Sequence, residues 1–267
     1  MSKVVLITGG SSGIGKSIGE YLSDQGFVVY GTSRNPNNYK DSKIKLIELD
    51  VLQAESIQNA VSEVINNEGK IDVVINNAGA GITGPVEEIP EAEIKRNFET
   101  NFFGPLNVIK SVLPQMRQQN QGLIINITSI AGYMGLPYRG VYSASKGALE
   151  LISEAISMEI KDFNIKITNV APGDFATNIA AGRFHSPNLK ESPYQPKYSE
   201  VLKAIDEDVH KADDPIIVAE KILEIINNPS PKLHYKVGAF MQKFSVGLKR
   251  ILPDRTYEKI LMKHYKL

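Results

Sequence analysis

Short apolar runs rich in β-branched residues alternate with helical stretches along most of this chain, and that alternation restricts the fold more than any other feature. VVLI at 4–7, FVVYGTSR at 27–34, KIKLIELD at 43–50, IDVVINN at 71–77, LIINITS at 123–129 and IKITNVAPG at 165–173 read as strands. Between them, GIGKSIGEYLSDQG, AESIQNAVSEVINNEG, PEAEIKRNFETNFFGPLNVIKSVLPQMRQQ and YSASKGALELISEAISMEI carry helical spacing. A strand that is apolar throughout needs cover on both faces, and helical crossovers return the chain in the same direction. The pattern therefore predicts an α/β fold built on a parallel sheet with helices on both sides. At 267 residues and 42% hydrophobic, the chain can bury one substantial core, so a single domain over 1–267 is expected.

Two segments break the rhythm. Residues 174–212 hold Pro187, Pro193 and Pro196 among Phe175, Phe184, Tyr194 and Tyr198, which predicts a long irregular insertion serving as a substrate lid. Residues 238–267 form a helical extension with Phe240, Phe244, Leu248 and Ile251 on one side; Pro253 interrupts it, and Tyr257, Ile260 and Leu261 resume it. Lys243, Lys249, Arg250, Arg255, Lys259, Lys263 and Lys266 alternate with these positions. A basic amphipathic helix can lie on an anionic membrane. Packing over the last strand, the substrate opening or a partner subunit is the favoured expectation, because a sheet edge needs cover.

Thirty basic and thirty acidic residues balance, which argues against a nucleic-acid partner. With no cysteine, disulfides, thiolate nucleophiles and cysteine metal sites are all excluded. His185, His210, His234 and His264 show no ligand spacing, so no metal is expected, and surface or lid positions are. The first apolar run is too short for a signal-peptide core and no run reaches a membrane span, so a cytoplasmic location is expected.

The strand VVLI runs into TGGSSGIG, which puts Gly9, Ser11, Ser12, Gly13, Ile14 and Gly15 where a backbone can approach a pyrophosphate at a positive helix end. Cofactor choice turns on the end of the second strand. There, a dehydrogenase using NAD places a carboxylate on the ribose hydroxyls. This chain has Thr32, Ser33 and Arg34, with no carboxylate until Asp41. A guanidinium beside small hydroxyls suits a 2′-phosphate, so NADP(H) is expected.

In YSASK, Tyr142 and Lys146 fall one helical turn apart, with side chains rooted about 5–6 Å from each other. Taken with TGGSSGIG, NNAG at 76–79, Asn101, Ser129 and the P-G-x-x-x-T of Pro172, Gly173 and Thr177, this pair resembles the short-chain dehydrogenase/reductase family in its classical subgroup. The resemblance runs from about residue 3 to about 237 and implies a Rossmann-type, doubly wound sheet of about seven strands.

What the resemblance implies for the residues is specific. Tyr142 would be the general acid or base and Lys146 the cation that lowers its proton affinity while binding the nicotinamide ribose. Ser129 would hold the substrate carbonyl; its neighbour Thr128 would face the other way, since adjacent strand residues do. Asn101 would anchor a water and extend the proton relay, or else bond local backbone. Asp50 with Val51 would meet the adenine, unless Asp50 caps the following helix. Asn76, Ala78 and Gly79 would line the cofactor groove and stabilise the central sheet, Asn77 would bind the cofactor with them, and Thr177, with the backbone near Phe175, would hold the carboxamide.

The substrate is read from the variable parts. Tyr133, Met134, Gly135, Leu136 and Pro137, with Phe175, Ile179 and Phe184, would form an apolar and aromatic wall, although any one of them alone reads as core. The extension is similar to those of hydroxysteroid-dehydrogenase-like members. Together these imply an NADP-dependent oxidoreductase for a lipophilic ketone or alcohol of steroid, retinoid or acyl type, working as a homo-oligomer. The competing reading is a non-catalytic NADP-binding regulatory protein of the same fold.

Overall fold

In the computed structural model, which describes residues 2–175, 182–186, 190–210 and 213–267, the apolar runs become the strands of one parallel sheet. The elements in chain order are β1 (Val4–Ile7), α1 (Gly13–Asp24), β2 (Val28–Ser33), β3 (Lys45–Glu48), α2 (Ala54–Glu68), β4 (Val73–Asn76), β5 (Ile82–Thr83), α3 (Glu91–Phe98), α4 (Gly104–Gln119), β6 (Gly122–Ile127) and α5 (Gly140–Glu159). They continue with β7 (Ile165–Pro172), β8 (Phe184–His185), α6 (Lys197–His210), α7 (Ile216–Asn227), β9 (His234–Val237), α8 (Phe240–Ile251) and α9 (Asp254–His264). Among the described residues the main sheet has seven strands in the order β3-β2-β1-β4-β6-β7-β9. The chain winds outward from β1 to β3, returns to the middle at β4 and winds out the other way. This leaves a crevice between the ends of β1 and β4, where the direction reverses.

Burial explains the unbroken apolar runs. In β1, Val4 and Leu6 pack beneath α2 and α4 with Val61, Val108 and Val112. The alternate residues Val5 and Ile7 pack on the opposite layer, against Ile18 and Leu22 of α1 and Ile222 of α7. Both faces are dry, so neither set of positions tolerates a polar residue.

A third apolar cluster joins the loop after β6 to the C-terminal extension. Ile130, Met134 and Leu136 pack with Val201 and Ile205 of α6, Val246 of α8, Tyr257 of α9 and Tyr265. The extension packs on the loop after β6 and on α6, and of the apolar side that the sequence spacing singled out only Leu248 turns inward. Phe240, Phe244 and Ile251 lie on the outside of α8.

The 174–212 insertion is also less irregular than expected. Residues 197–210 form α6, and Tyr198, Val201 and Ile205 recur on one buried face. The prolines that suggested irregularity all precede this helix, and Pro196 immediately precedes its first residue. Phe184 and His185 pair in parallel with Ile82 and Thr83, and the Tyr198 hydroxyl donates to Thr83 Oγ1 at 3.0 Å, which ties the insertion to the loop after β4.

Candidate active site

The crevice is a cleft of about 790 Å³ that runs from the end of β2 to the start of α5. Its floor at one end is the turn after β1. Gly9 adopts φ 67° and Gly13 φ 53°, conformations that side chains resist. A Cβ on Gly15 would lie 2.3 Å from both Gly9 O and Asn77 Nδ2, so the helix can approach the loop this closely only with glycine there. Ser12 is the N-cap of α1 but makes no side-chain capping bond. The first backbone N–H groups of α1 therefore lack a side-chain cap, and Ser11, Ser12, Gly13 and Ile14 line the cleft beside them.

Ser33 and exposed Arg34 line the same end with Thr32. Asp50 and Val51 lie there too. Asp50 does not cap α2, whose N-cap is Gln53; instead its Oδ1 accepts the Leu52 N–H at 3.0 Å. Asn77, Ala78 and Gly79 line the middle, and Asn77 Nδ2 donates to Thr8 O and Gly9 O, stitching β4 to the glycine turn. Asn76 takes the expected sheet-stabilising role but not the groove-lining one. It is buried within the sheet and donates to Asn126 Oδ1 at 2.8 Å, so it joins β4 to β6 and lies outside the cleft.

At the other end, Ser129, Tyr142 and Lys146 converge with Pro172, Gly173 and Phe175. Ser129 begins a short 3-10 turn, and its Oγ accepts the Ala131 N–H at 3.2 Å. Thr128 turns the other way, as strand alternation requires, and donates to Glu150 and Val170 O. Burial pushes the Tyr142 phenol above its ordinary range; a hydrogen bond with Ser129 and the charges of Arg139 and Arg183 pull it back in part, while Asp174 adds to the rise.

Lys146 lies one turn along α5 from Tyr142 and lines the same end of the cleft. Its Nζ donates to Ile127 O at 2.9 Å and stands beside Gly79, where a Cβ would lie 3.3 Å away. The side chain thus reaches along α5 toward the groove. Burial lowers its pKa to about 8, against the pull of Glu150.

Asn101 sits in a π-helical segment, Glu99–Phe103, that interrupts the α3–α4 helical run; such widened turns frequently accompany functional sites. The side chain is fully buried and committed to protein partners. Oδ1 accepts from Ala80 N at 2.8 Å, while Nδ2 donates to Ala80 O at 2.9 Å and also lies near Ser145 and Asn97. It holds the loop after β4 in place and does not itself line the cleft. Thr177 and Ile179 lie outside the described residues.

The expected apolar wall is largely redirected. Met134 and Leu136 face the C-terminal extension, where the Tyr257 hydroxyl donates to Met134 Sδ at 2.8 Å. Tyr133 donates to Glu150 Oε2 at 3.0 Å. Phe175 is both core and cleft lining. Around Tyr142 the described lining is instead mixed, with Ile82 and Phe184 beside Arg139, Asp174 and Arg183.

Sequence reasoning passed over four residues here. Arg139 precedes Tyr142 by three positions; its Nη2 donates to the Tyr265 hydroxyl at 2.9 Å and its buried Nε has no hydrogen-bond partner. Gln242 of α8 clamps Asp174, accepting its backbone N–H at 3.2 Å and donating to its Oδ2 at 2.6 Å. Glu150, one turn beyond Lys146, is buried among Thr128, Tyr133, Asn169 and His234. Only its position, four residues past Lys146 on a helix, was readable beforehand. His234, expected on the surface or in the lid, bridges Glu150 at 2.7 Å and Glu154 at 3.2 Å.

The sequence profile described as short chain dehydrogenase matches residues 3–188. The chain belongs to the short-chain dehydrogenase family. As a short-chain dehydrogenase it is an oxidoreductase acting between carbonyl and alcohol. It is 40% identical over 266 residues to a 3-ketodihydrosphingosine reductase of Bacteroides thetaiotaomicron, covering 99% of this chain and 98% of that one. It is 31% identical to the probable short-chain type dehydrogenase/reductase VdlC of Helicobacter pylori, over 96% of each chain. Among solved structures, a short-chain dehydrogenase from Streptomyces avermitilis superposes with TM-score 0.82 at 31% identity and 97% coverage of both chains. The NADP-bound structure of ElxO superposes at 0.71 with 28% identity, over 89% of this chain and 97% of that one.

Proposed function

We propose that this short-chain dehydrogenase reduces the ketone of a long-chain amphiphile with NADPH. The observation that carries the reading is the convergence of Ser129, Tyr142 and Lys146 at one end of the cleft whose other end is the glycine turn. A phenol that keeps its proton at neutral pH meets a carbonyl as an acid, which is what reduction requires. Ser129 donates to the carbonyl oxygen and holds it against Tyr142. The Tyr142 proton passes to that oxygen as the carbonyl carbon is reduced. Lys146, with donors to spare, binds the ribose next to the nicotinamide and recharges the phenol. Asn101 acts by fixing the loop at Ala80.

The residues present fit the dinucleotide. The uncapped α1 terminus and its glycines suit the pyrophosphate. Ser33 and Arg34 suit a 2′-phosphate, and Asp50 with Val51 the adenine side. Thr177 keeps its carboxamide role by family resemblance. NADPH, when bound, supplies the hydride.

The mixed lining around Tyr142 supports an amphiphile over a wholly apolar substrate. 3-Ketodihydrosphingosine, named for the Bacteroides relative, is a long-chain ketone with an amine and a hydroxyl beside the carbonyl. Asp174 suits the ammonium, and Arg139, with its unpartnered Nε, the hydroxyl. Exposed Leu151 and Met158 on α5 suit a subunit contact in a homo-oligomer.

The test is NADPH oxidation with a panel of long-chain amino ketones, plain ketones and steroid ketones. Wild type is expected to prefer the amino ketone, and Tyr142→Phe to lose about 10²–10⁴-fold in kcat while still binding NADPH. Tight NADPH binding with no turnover of any ketone would return the regulatory reading.

A further inference from the structure

The C-terminal extension has two faces, and only one packs on the rest of the described chain. Val246, Tyr257 and Tyr265 are buried against the loop after β6. On the outward side of α8, Phe240, Phe244 and Ile251 are 72%, 47% and 81% exposed. With Gly247 they fall at helical intervals of four, three and four residues, so they form one continuous outward stripe. The Phe240 and Phe244 rings stack at 5.8 Å between centroids, and Met241 is exposed beside them. In α9, Ile260 and Met262 are exposed as well. Water is a poor neighbour for so much clustered apolar surface, and such patches mark interaction sites.

Charge identifies the occupant. The chain has no net charge, yet residues 238–267 carry seven lysines and arginines against two carboxylates. Those two, Asp254 and Glu258, pair with Lys249 and Arg255. Lys243, Arg250, Lys259, Lys263 and Lys266 make no ion pair among the described residues. Lys243 and Arg250 flank the phenylalanine stripe at positions a helical turn from it. A second copy meeting this face about a two-fold axis would bring the same cations together, which disfavours a dimer contact. Apolar side chains ringed by cations match the interface of a bilayer with anionic headgroups.

We propose that the outward face of α8 docks on an anionic lipid surface, with the rim of the catalytic cleft held against it. The coupling to the cleft is direct, because Gln242, next to Met241, is the residue that clamps Asp174. A long-chain ketone can then pass from the bilayer to Tyr142 without its chain crossing bulk water. The docking geometry stands on α8 alone; only its purpose rests on the lipid-ketone reading.

The full-length protein is mixed with vesicles of phosphatidylcholine alone or with phosphatidylglycerol, and sedimentation is compared for wild type, Phe240→Ser/Phe244→Ser and Lys243→Gln/Arg250→Gln. Wild type is expected on the anionic vesicles and largely absent from the neutral ones. The serine pair should lower partitioning more than tenfold, and the glutamine pair about 25-fold, or fivefold per cation. Both variants should keep wild-type kcat/KM on a water-soluble ketone, an assay that separates loss of docking from failure of the catalytic reading. Equal binding to both vesicle types, or binding unchanged in the variants, overturns the proposal. So does a wild-type oligomer that the serine pair dissociates in sedimentation velocity, which would make the face a contact between copies.

Discussion

Replacing Glu150 with glutamine tests whether the charge behind Lys146 sets the working pH of the enzyme. Both residues are buried on α5, one turn apart, so their side chains are rooted about 5–6 Å from each other. Two unit charges about 6 Å apart, with an effective dielectric near 20, interact by about 3 kcal/mol, which sets the order of the effect. Lys146 stands at about 8, because burial lowers it while Glu150 holds it up. With Glu150 neutral, only the lowering remains, so the lysine falls further below its ordinary range. The charged form of lysine is the acid form, so a lower pKa moves the high-pH limb of activity toward acid. The measurement is kcat/KM for NADPH from pH 5 to 9.5, which reports ionisations of the free enzyme. Wild type should decline above pH 8. Glu150→Gln should begin to decline at a lower pH than wild type, losing up to about tenfold at pH 7 and little at pH 5.5. Glutamine still offers an oxygen to Thr128 and Tyr133, so gross unfolding is not expected, and a melting curve checks it. A uniform loss at every pH with the limb still near 8 would mean that Glu150 only braces the fold, and would refute the electrostatic argument.

At the other end of the cleft, Arg34→Ala should weaken NADPH binding by about 1.5–3 kcal/mol, roughly 10- to 150-fold, and leave NADH binding nearly unchanged. Fluorescence titration with both cofactors measures it, and equal weakening would remove the 2′-phosphate assignment. Gly15→Ala places a Cβ 2.3 Å from Gly9 O, a backbone atom that cannot step aside. It should therefore lower the melting temperature and weaken both cofactors alike, and a variant with wild-type NADPH affinity would show that the glycine turn does not cradle the pyrophosphate.

The sheet was legible because its physics is local. Val4 to Ile7 must be dry on both faces, and a run of four apolar residues says so without reference to the rest of the chain. The glycine turn and the Tyr142–Lys146 spacing were legible for the same reason, since both depend on residues within one helical turn or one loop. What sequence left hidden depends on elements far apart in the chain. Glu150 matters through Asn169 and His234, which reach it from β7 and β9. Gln242 matters through Asp174, 68 positions earlier. The aromatic and apolar run after Ser129 showed that something apolar packs there; whether substrate or the C-terminal helices do so was decided by where the last thirty residues come to rest. The same rule explains the reversed extension. Helical spacing located the stripe of Phe240, Phe244, Leu248 and Ile251, but an apolar stripe alone does not say which way it faces, and only Leu248 turns inward. Val246, Tyr257 and Tyr265 won the inward side because they, and not the phenylalanines, meet the hydrophobic loop that β6 delivers beside Tyr142.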